Sequence, residues 1–109
     1  MAKKILGQLS PADTNEGTLY TVPGSKETVI SSVSICNYTA TDRKFRVRVK
    51  VAAAGDADKE WLYYDQVAAA NDTYIATVGL TLAAGDLIKI RSDAANALAF
   101  QVFGDEKTA

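Results

Sequence analysis

Apolar and polar residues alternate with a period of two from Lys44 to Val51: Phe45, Val47, Val49 and Val51 interleave with Lys44, Arg46, Arg48 and Lys50. This alternation sends one set of side chains to a buried face and the other to water, which predicts a half-buried strand. At helical spacing the same residues would scatter around the axis. A second strand is predicted from Glu27 to Tyr38, which is rich in the β-branched residues Thr28, Val29, Ile30, Val33 and Ile35. Val29, Val33 and Ile35 fall on one of its faces, and Ile30, Ser32, Ser34 and Cys36 on the other. Two partly apolar faces fit a central strand covered on both sides, or a strand at a subunit contact.

Shorter strands are predicted at Lys3–Leu9, Thr18–Val22, Glu60–Gln66, Thr73–Val78, Asp86–Ser92 and Leu98–Phe103. Turn clusters separate them: Pro23-Gly24-Ser25, Asn37 to Asp42, Gly55-Asp56, Asn71-Asp72, Gly85-Asp86 and Ser92 to Asn96. Before Leu87, glycine supplies a positive φ, and the Asp86 side chain can accept from nearby backbone amides. The alanine clusters Ala52–Ala54, Ala68–Ala70 and Ala94–Ala97 are too short to nucleate helices, so they read as loops or strand ends. The segment Val51 to Asp56 echoes Thr81 to Asp86. One such pair reflects shared turn chemistry and not a repeat architecture.

A chain of 109 residues is one domain. Hydrophobic residues make up 48% and charged residues 23%, enough apolar surface to offset the entropy of ordering. A net charge of -1 gives no overall attraction to nucleic acid or to an anionic membrane. No apolar run approaches the roughly 20 residues that span a bilayer. After Lys3 and Lys4 only Ile5 and Leu6 are large and apolar, too few for the hydrophobic region of a signal peptide.

The single cysteine, Cys36, forms no internal disulfide and reads as a small buried or interfacial apolar residue. The absence of histidine removes histidine-based catalytic triads, Cys-His pairs and the commonest metal ligand. Phosphate-binding glycine motifs are missing as well. Asp56, Asp58 and Glu60 cluster in what reads as an exposed polar loop with ordinary carboxylate pKa values, ahead of a calcium-type oxygen site or a catalytic pair. No enzyme activity, metal or cofactor is therefore expected.

Two local features suggest contact surfaces. The basic stripe Arg43, Lys44, Arg46, Arg48 and Lys50 reads first as a wet strand face with long stems over apolar surface. It could also meet an acidic patch on a neighbour, such as Asp56 to Glu60. Nucleic acid is disfavoured because aromatics do not alternate along that face. In Trp61-Leu62-Tyr63-Tyr64-Asp65, strict alternation puts Trp61 and Tyr63 on one face and Leu62 and Tyr64 on the other. One face should be core, and the other a subunit contact in preference to a sugar platform.

Several stretches resemble small virion proteins of tailed bacteriophages. They are Lys4 to Pro11, Leu19 to Pro23, Ser31 to Asn37, Leu62 to Asp65, Asn71 to Thr73, Gly79 to Asp86 and Phe100 to Gly104. The resemblance implies a single β-sandwich on the capsid or in tail and fibre structures, made in the host bacterial cytoplasm, with no catalytic residues. We therefore expect an all-β fold: an antiparallel, jelly-roll-like β-sandwich of about eight strands. Its expected core is Val29, Val33, Ile35, Phe45, Val47, Val49, Ile88, Ile90, Phe100 and Val102. Residues 1–16 would form an extended N-terminal arm with a short strand, and residues 17–109 the sandwich. The expected function is capsid decoration, with a tail, baseplate or fibre component and a carbohydrate-binding module as alternatives. Partners would be capsid or other virion proteins within a homo-oligomer, a trimer by preference, without nucleic acid or membrane. Candidate interface residues are Lys3, Lys4, Ile5, Leu6, Arg46, Arg48, Lys50, Trp61 and Tyr63.

Overall fold

The computed structural model describes residues 4–52, 55 and 57–108. Eight strands follow one another: β1 (Lys4–Leu9), β2 (Gly17–Thr21), β3 (Lys26–Asn37), β4 (Arg43–Lys50), β5 (Trp61–Ala68), β6 (Thr73–Leu82), β7 (Leu87–Ser92) and β8 (Leu98–Thr108). One turn of 3-10 helix, Asp58–Glu60, precedes β5. Strand β1 pairs with β8, β2 with β7, β3 with β6 and β4 with β5, all antiparallel. The chain is thus one long antiparallel ribbon folded back on itself. Further pairing of β3 with β8 and β4 with β7 rolls it into two four-stranded sheets. Sheet A has the order β1-β8-β3-β6 and sheet B the order β2-β7-β4-β5. This is the expected antiparallel β-sandwich, with the strand pairing of a jelly roll.

Between the sheets lie Ile30, Val33, Ile35, Phe45, Val47, Ile88, Ile90, Leu98, Phe100 and Val102, all buried. Val49 is half-buried against this core. Val29 corrects the expectation: it is 37% exposed, and Ile30 takes the inward place. The cause is a bulge. Between Ile30 and Ser32 the register of β3 shifts against both neighbours, leaving Ser31 as the extra residue opposite β8. Even-numbered Thr28 and Ile30 face inward before it, and odd-numbered Val33, Ile35 and Asn37 after it. A period of two read across a bulge assigns half the strand to the wrong face.

The predicted turns close as their chemistry suggests. Gly85 has φ +87°, and Asp86 accepts from the amides of Ala83 (2.9 Å) and Ala52 (3.1 Å). Ser25, Asn71 and Asn96 also sit at positive φ within predicted turns. Ala53, Ala54 and Asp56 lie outside the described residues. The short strand expected in residues 1–16 is present as β1, an edge of sheet A. The loop that follows it is tied to this chain: Pro11 is buried and its carbonyl accepts from Asn96 (2.9 Å). Ser10 bonds Tyr38 (2.7 Å), and Arg91 donates to the Thr14 carbonyl (2.8 Å).

At one end of the sandwich, the buried Tyr20 hydroxyl bonds Thr28 (2.8 Å) and donates to Glu106, which also pairs with Lys4 (3.1 Å). Four strands meet in this network. Burial, then the bond to Glu106, pushes the Tyr20 phenol up to about 12. The same bond, followed by that from Lys4, holds Glu106 below the usual carboxylate range. The raised phenol contributes stability that is complete below its unfolded value near 10 and is lost as pH climbs towards 12. The advantage of the native chain over Tyr20→Phe should therefore shrink by about 2–3 kcal/mol across that window. Denaturant titrations of both proteins at a series of alkaline pH values check it, and a constant difference would contradict the network.

Candidate functional site

The basic stripe and the aromatic cluster meet on the outer face of sheet B. Their meeting depends on two irregularities in β5, where the register with β4 shifts between Phe45 and Val47 and again between Val47 and Arg48. Each places an extra residue on β5, and Asp65 takes φ +54° near the first. Strict alternation is broken as a result. Trp61 and Tyr64 share the outer face, ring centroids 4.9 Å apart, whereas Tyr63 turns inward onto Phe45 (5.8 Å) and Tyr74 (5.7 Å). This corrects the expected pairing of Trp61 with Tyr63. Burial pushes the Tyr63 phenol up, and Tyr74 reinforces the shift.

Across β4, the outward residues stand beside like charges: Arg46 opposes Arg91 and Arg48 opposes Lys89. Directly opposed cations repel, so the face needs acids and ring faces to offset them. Arg46 makes a two-point contact with Asp65 (2.7 and 3.2 Å) and lies 4.0 Å over Tyr64. The Arg46 bond, against a smaller opposing effect of burial, holds Asp65 below its ordinary value. Arg48 lies 4.2 Å over Trp61 and donates to Glu60 (3.2 Å). It also forms an ion pair with Glu16 (2.7 Å). Lys50 reaches Glu60 at 3.5 Å. Burial alone would push Glu60 up. The Ala57 amide, Arg48 and Lys50 together outweigh it and hold the carboxyl below its usual range.

Arg48 and Lys50 are therefore buried residues, not members of a wet face. Glu60 belongs to this ion cluster and not to a solvated loop. Asp56, the other end of that loop, lies outside the described residues. The acids that meet the stripe come from this same chain: Glu16 from the loop before β2, Glu60 from the helical turn and Asp65 from the β5 irregularity. Among the described residues, no group of three or more histidine, cysteine or acidic side chains could hold a metal ion.

The outer face of sheet A is chemically opposite. Four rows of side chains cross it in register. Gln8, Gln101, Ser34 and Ile75 form one, and Ile5, Phe103, Ser32 and Thr77 the next. Ala99, Cys36 and Thr73 form a third, and Asp105, Val29 and Thr81 the fourth. No charged residue occurs from 5 to 9, 28 to 37, 73 to 82 or 98 to 104. Ile5 is 53% exposed and Ile75 65%. The charged residues Lys4, Glu27, Asp105 and Lys107 stand only towards one end, with Lys107 paired to Glu27 at 3.4 Å.

The candidate interface residues thus divide. Ile5 lies on the open face of sheet A, with Lys4 at its margin. Leu6 packs against the core, and so does Tyr63. Arg46, Arg48, Lys50 and Trp61 form the paired cluster on sheet B. Lys3 lies outside the described residues. Sequence reasoning missed Glu16 and Asp65 as partners of the stripe, and of the open face it reached only Ile5 and the two partly apolar sides of β3. The charge-free runs on β3, β6 and β8 carried the signal for that face. No protein-family model matches this chain, and no curated protein sequence matches it.

Proposed function

We propose that this protein is a non-catalytic structural subunit of a tailed-phage virion, a decoration protein that binds capsomers and stabilises the head. One observation carries the reading: a partly apolar sheet face with three charge-free rows stands open, its charges confined to one end. An open patch of this kind, with charge confined to its margin, fits a protein contact better than a solvated surface. The sequence resemblance supplies the phage setting, and the jelly roll is a scaffold that viral shells use, although fold alone does not fix function. The perturbed ionisable groups Tyr20, Glu60, Asp65 and Glu106 are engaged in bonds that tie strands together, which suits a structural role. A glycan platform has less support, because Arg48 lies over one face of Trp61.

On this reading the chain is made in the host cytoplasm, joins the virion and needs no cofactor. Cosedimentation with purified, expanded phage heads tests it. Saturable binding is expected. A chain that stays in the supernatant would overturn decoration, and capture by purified tails instead would favour the tail or baseplate role.

A further inference from the structure

We propose that the outer face of sheet B is a docking surface for an acidic protein segment, one that presents carboxylates about 7 Å apart. The inference rests on the reading of the protein as a virion subunit and names the chemistry of a partner. Lys44, Arg46, Arg48 and Lys50 of β4 share that face with Lys89 and Arg91 of β7, the two central strands of the sheet. The acids Glu16, Glu60 and Asp65 are taken up by Arg46, Arg48 and Lys50. Asp65 is held low by Lys44 and Arg91 as well, yet both of its oxygens bond Arg46. Asp93 stands beside Lys44 at the end of the ladder, through its backbone amide. Among the described residues, no acid comes within ion-pair distance of Lys44, Lys89 or Arg91; Arg91 bonds only the Thr14 carbonyl. Cations therefore outnumber acids on this face, although the chain as a whole carries a net charge of -1.

Repulsion within the ladder points the same way. Arg91 stands directly opposite Arg46, and Lys89 opposite Arg48. Directly opposed like charges destabilise a sheet, and a local rule broken in this way is expected where a surface binds. An anion seated over the two pairs would be attracted by both rows. A polyanion such as nucleic acid fits poorly. Glu16 and Asp65 stand among the cations and would repel a continuous run of phosphates. The rings of Trp61 and Tyr64, on which bases would stack, are already engaged by Arg48 and Arg46. Separate carboxylates avoid both obstacles. Lys89 and Arg91 lie two residues apart on one face of β7, about 7 Å, which is the spacing of alternate residues in an extended strand. A protein segment with an acid at every second position matches it.

Fluorescence anisotropy of the intact protein with a labelled synthetic peptide, glutamate alternating with threonine, tests the surface at low salt. Saturable binding that weakens as salt rises is expected. Lys89→Glu should weaken it about tenfold. That reversal sets an acid opposite Arg48, so its thermal midpoint should match or exceed that of the native chain, a result that a merely structural Lys89 would not give. Lys89→Gln, the neutral companion, should weaken binding by less. Lys107→Glu changes the net charge equally but lies on sheet A, and it should leave binding unchanged. No binding, binding insensitive to Lys89→Glu, or tighter binding of a single-stranded oligonucleotide of equal charge would overturn the docking surface. Purified, expanded phage heads separate this inference from the decoration role. Head binding that ignores both salt and Lys89→Glu would overturn the docking surface and leave decoration standing. A protein that binds the peptide and ignores heads would overturn only the decoration role.

Discussion

Gly104→Ala should cost about 3 kcal/mol or more, lowering the thermal midpoint by roughly 15 °C. Gly104 sits in β8 opposite Ile30, where β3 bulges at Ser31. A β-carbon added there would lie 2.1 Å from the Val29 carbonyl oxygen and 3.0 Å from the Ile30 α-carbon. Both obstacles are backbone, so no side-chain rotation relieves the clash. Relief requires the central β3–β8 ladder to open. Gly79 makes the control, since nothing lies within 4 Å of its would-be β-carbon. Gly79→Ala should change stability by less than about 1 kcal/mol. Thermal melts of the two variants check the contrast, and equal midpoints would mean that the β3 bulge is not where it is described.

Asn37→Ala should cost about 2–4 kcal/mol, measured by chemical denaturation. Asn37 is fully buried at the end of β3, and its side chain uses its whole hydrogen-bonding capacity. The amide nitrogen donates to the carbonyls of Thr41 and Ala68, both at 2.9 Å. The amide oxygen accepts from the Thr39 amide (3.0 Å) and hydroxyl (2.7 Å). One side chain thus binds the Thr39–Thr41 turn and the last residue of β5 to β3. Truncation takes a donor from both carbonyls. That of Thr41 keeps the Thr39 hydroxyl at 3.0 Å, whereas the bond to Ala68 is lost inside the fold. A buried acceptor that loses its donor costs more than a typical bond contributes. Asn37→Asp separates the two halves of the knot. It keeps the acceptor towards Thr39 and turns the donors into an oxygen facing two carbonyls, so it should be at least as damaging as alanine. A tolerated aspartate would show that the donor half carries little.

Most of the strands were legible because their side-chain periods survive in the sequence. The alternation from Phe45 to Val49 and from Leu98 to Val102 maps directly onto inward and outward faces. The turn at Gly85-Asp86 was legible for a local reason, since a positive φ and a capping carboxylate need only adjacent residues. Bulges were not legible. Ser31 is an ordinary strand residue with nothing in its type to announce the parity change that exchanges Val29 for Ile30. The irregularities in β5 moved Tyr63 inward in the same silent way.

The ion cluster failed to show for a different reason. Arg48 is buried because Glu16 and Glu60, remote in sequence, arrive over it. That encounter depends on the β4–β5 pairing and on the loop before β2. The open face of sheet A lay half-visible in β3, whose two partly apolar sides suggested either a covered strand or a subunit contact. β3 is central in its sheet, and its outward side is uncovered within the chain. Only the topology joins its charge-free run to those of β6, β8 and β1 as one surface.

The most direct measurement of the proposed decoration role is a titration of the purified protein onto purified, expanded phage heads, counting bound copies per shell. A virion structural role of the decoration type requires saturation at a fixed copy number set by the symmetry of the shell. Binding that never saturates, or no binding at all, would contradict it.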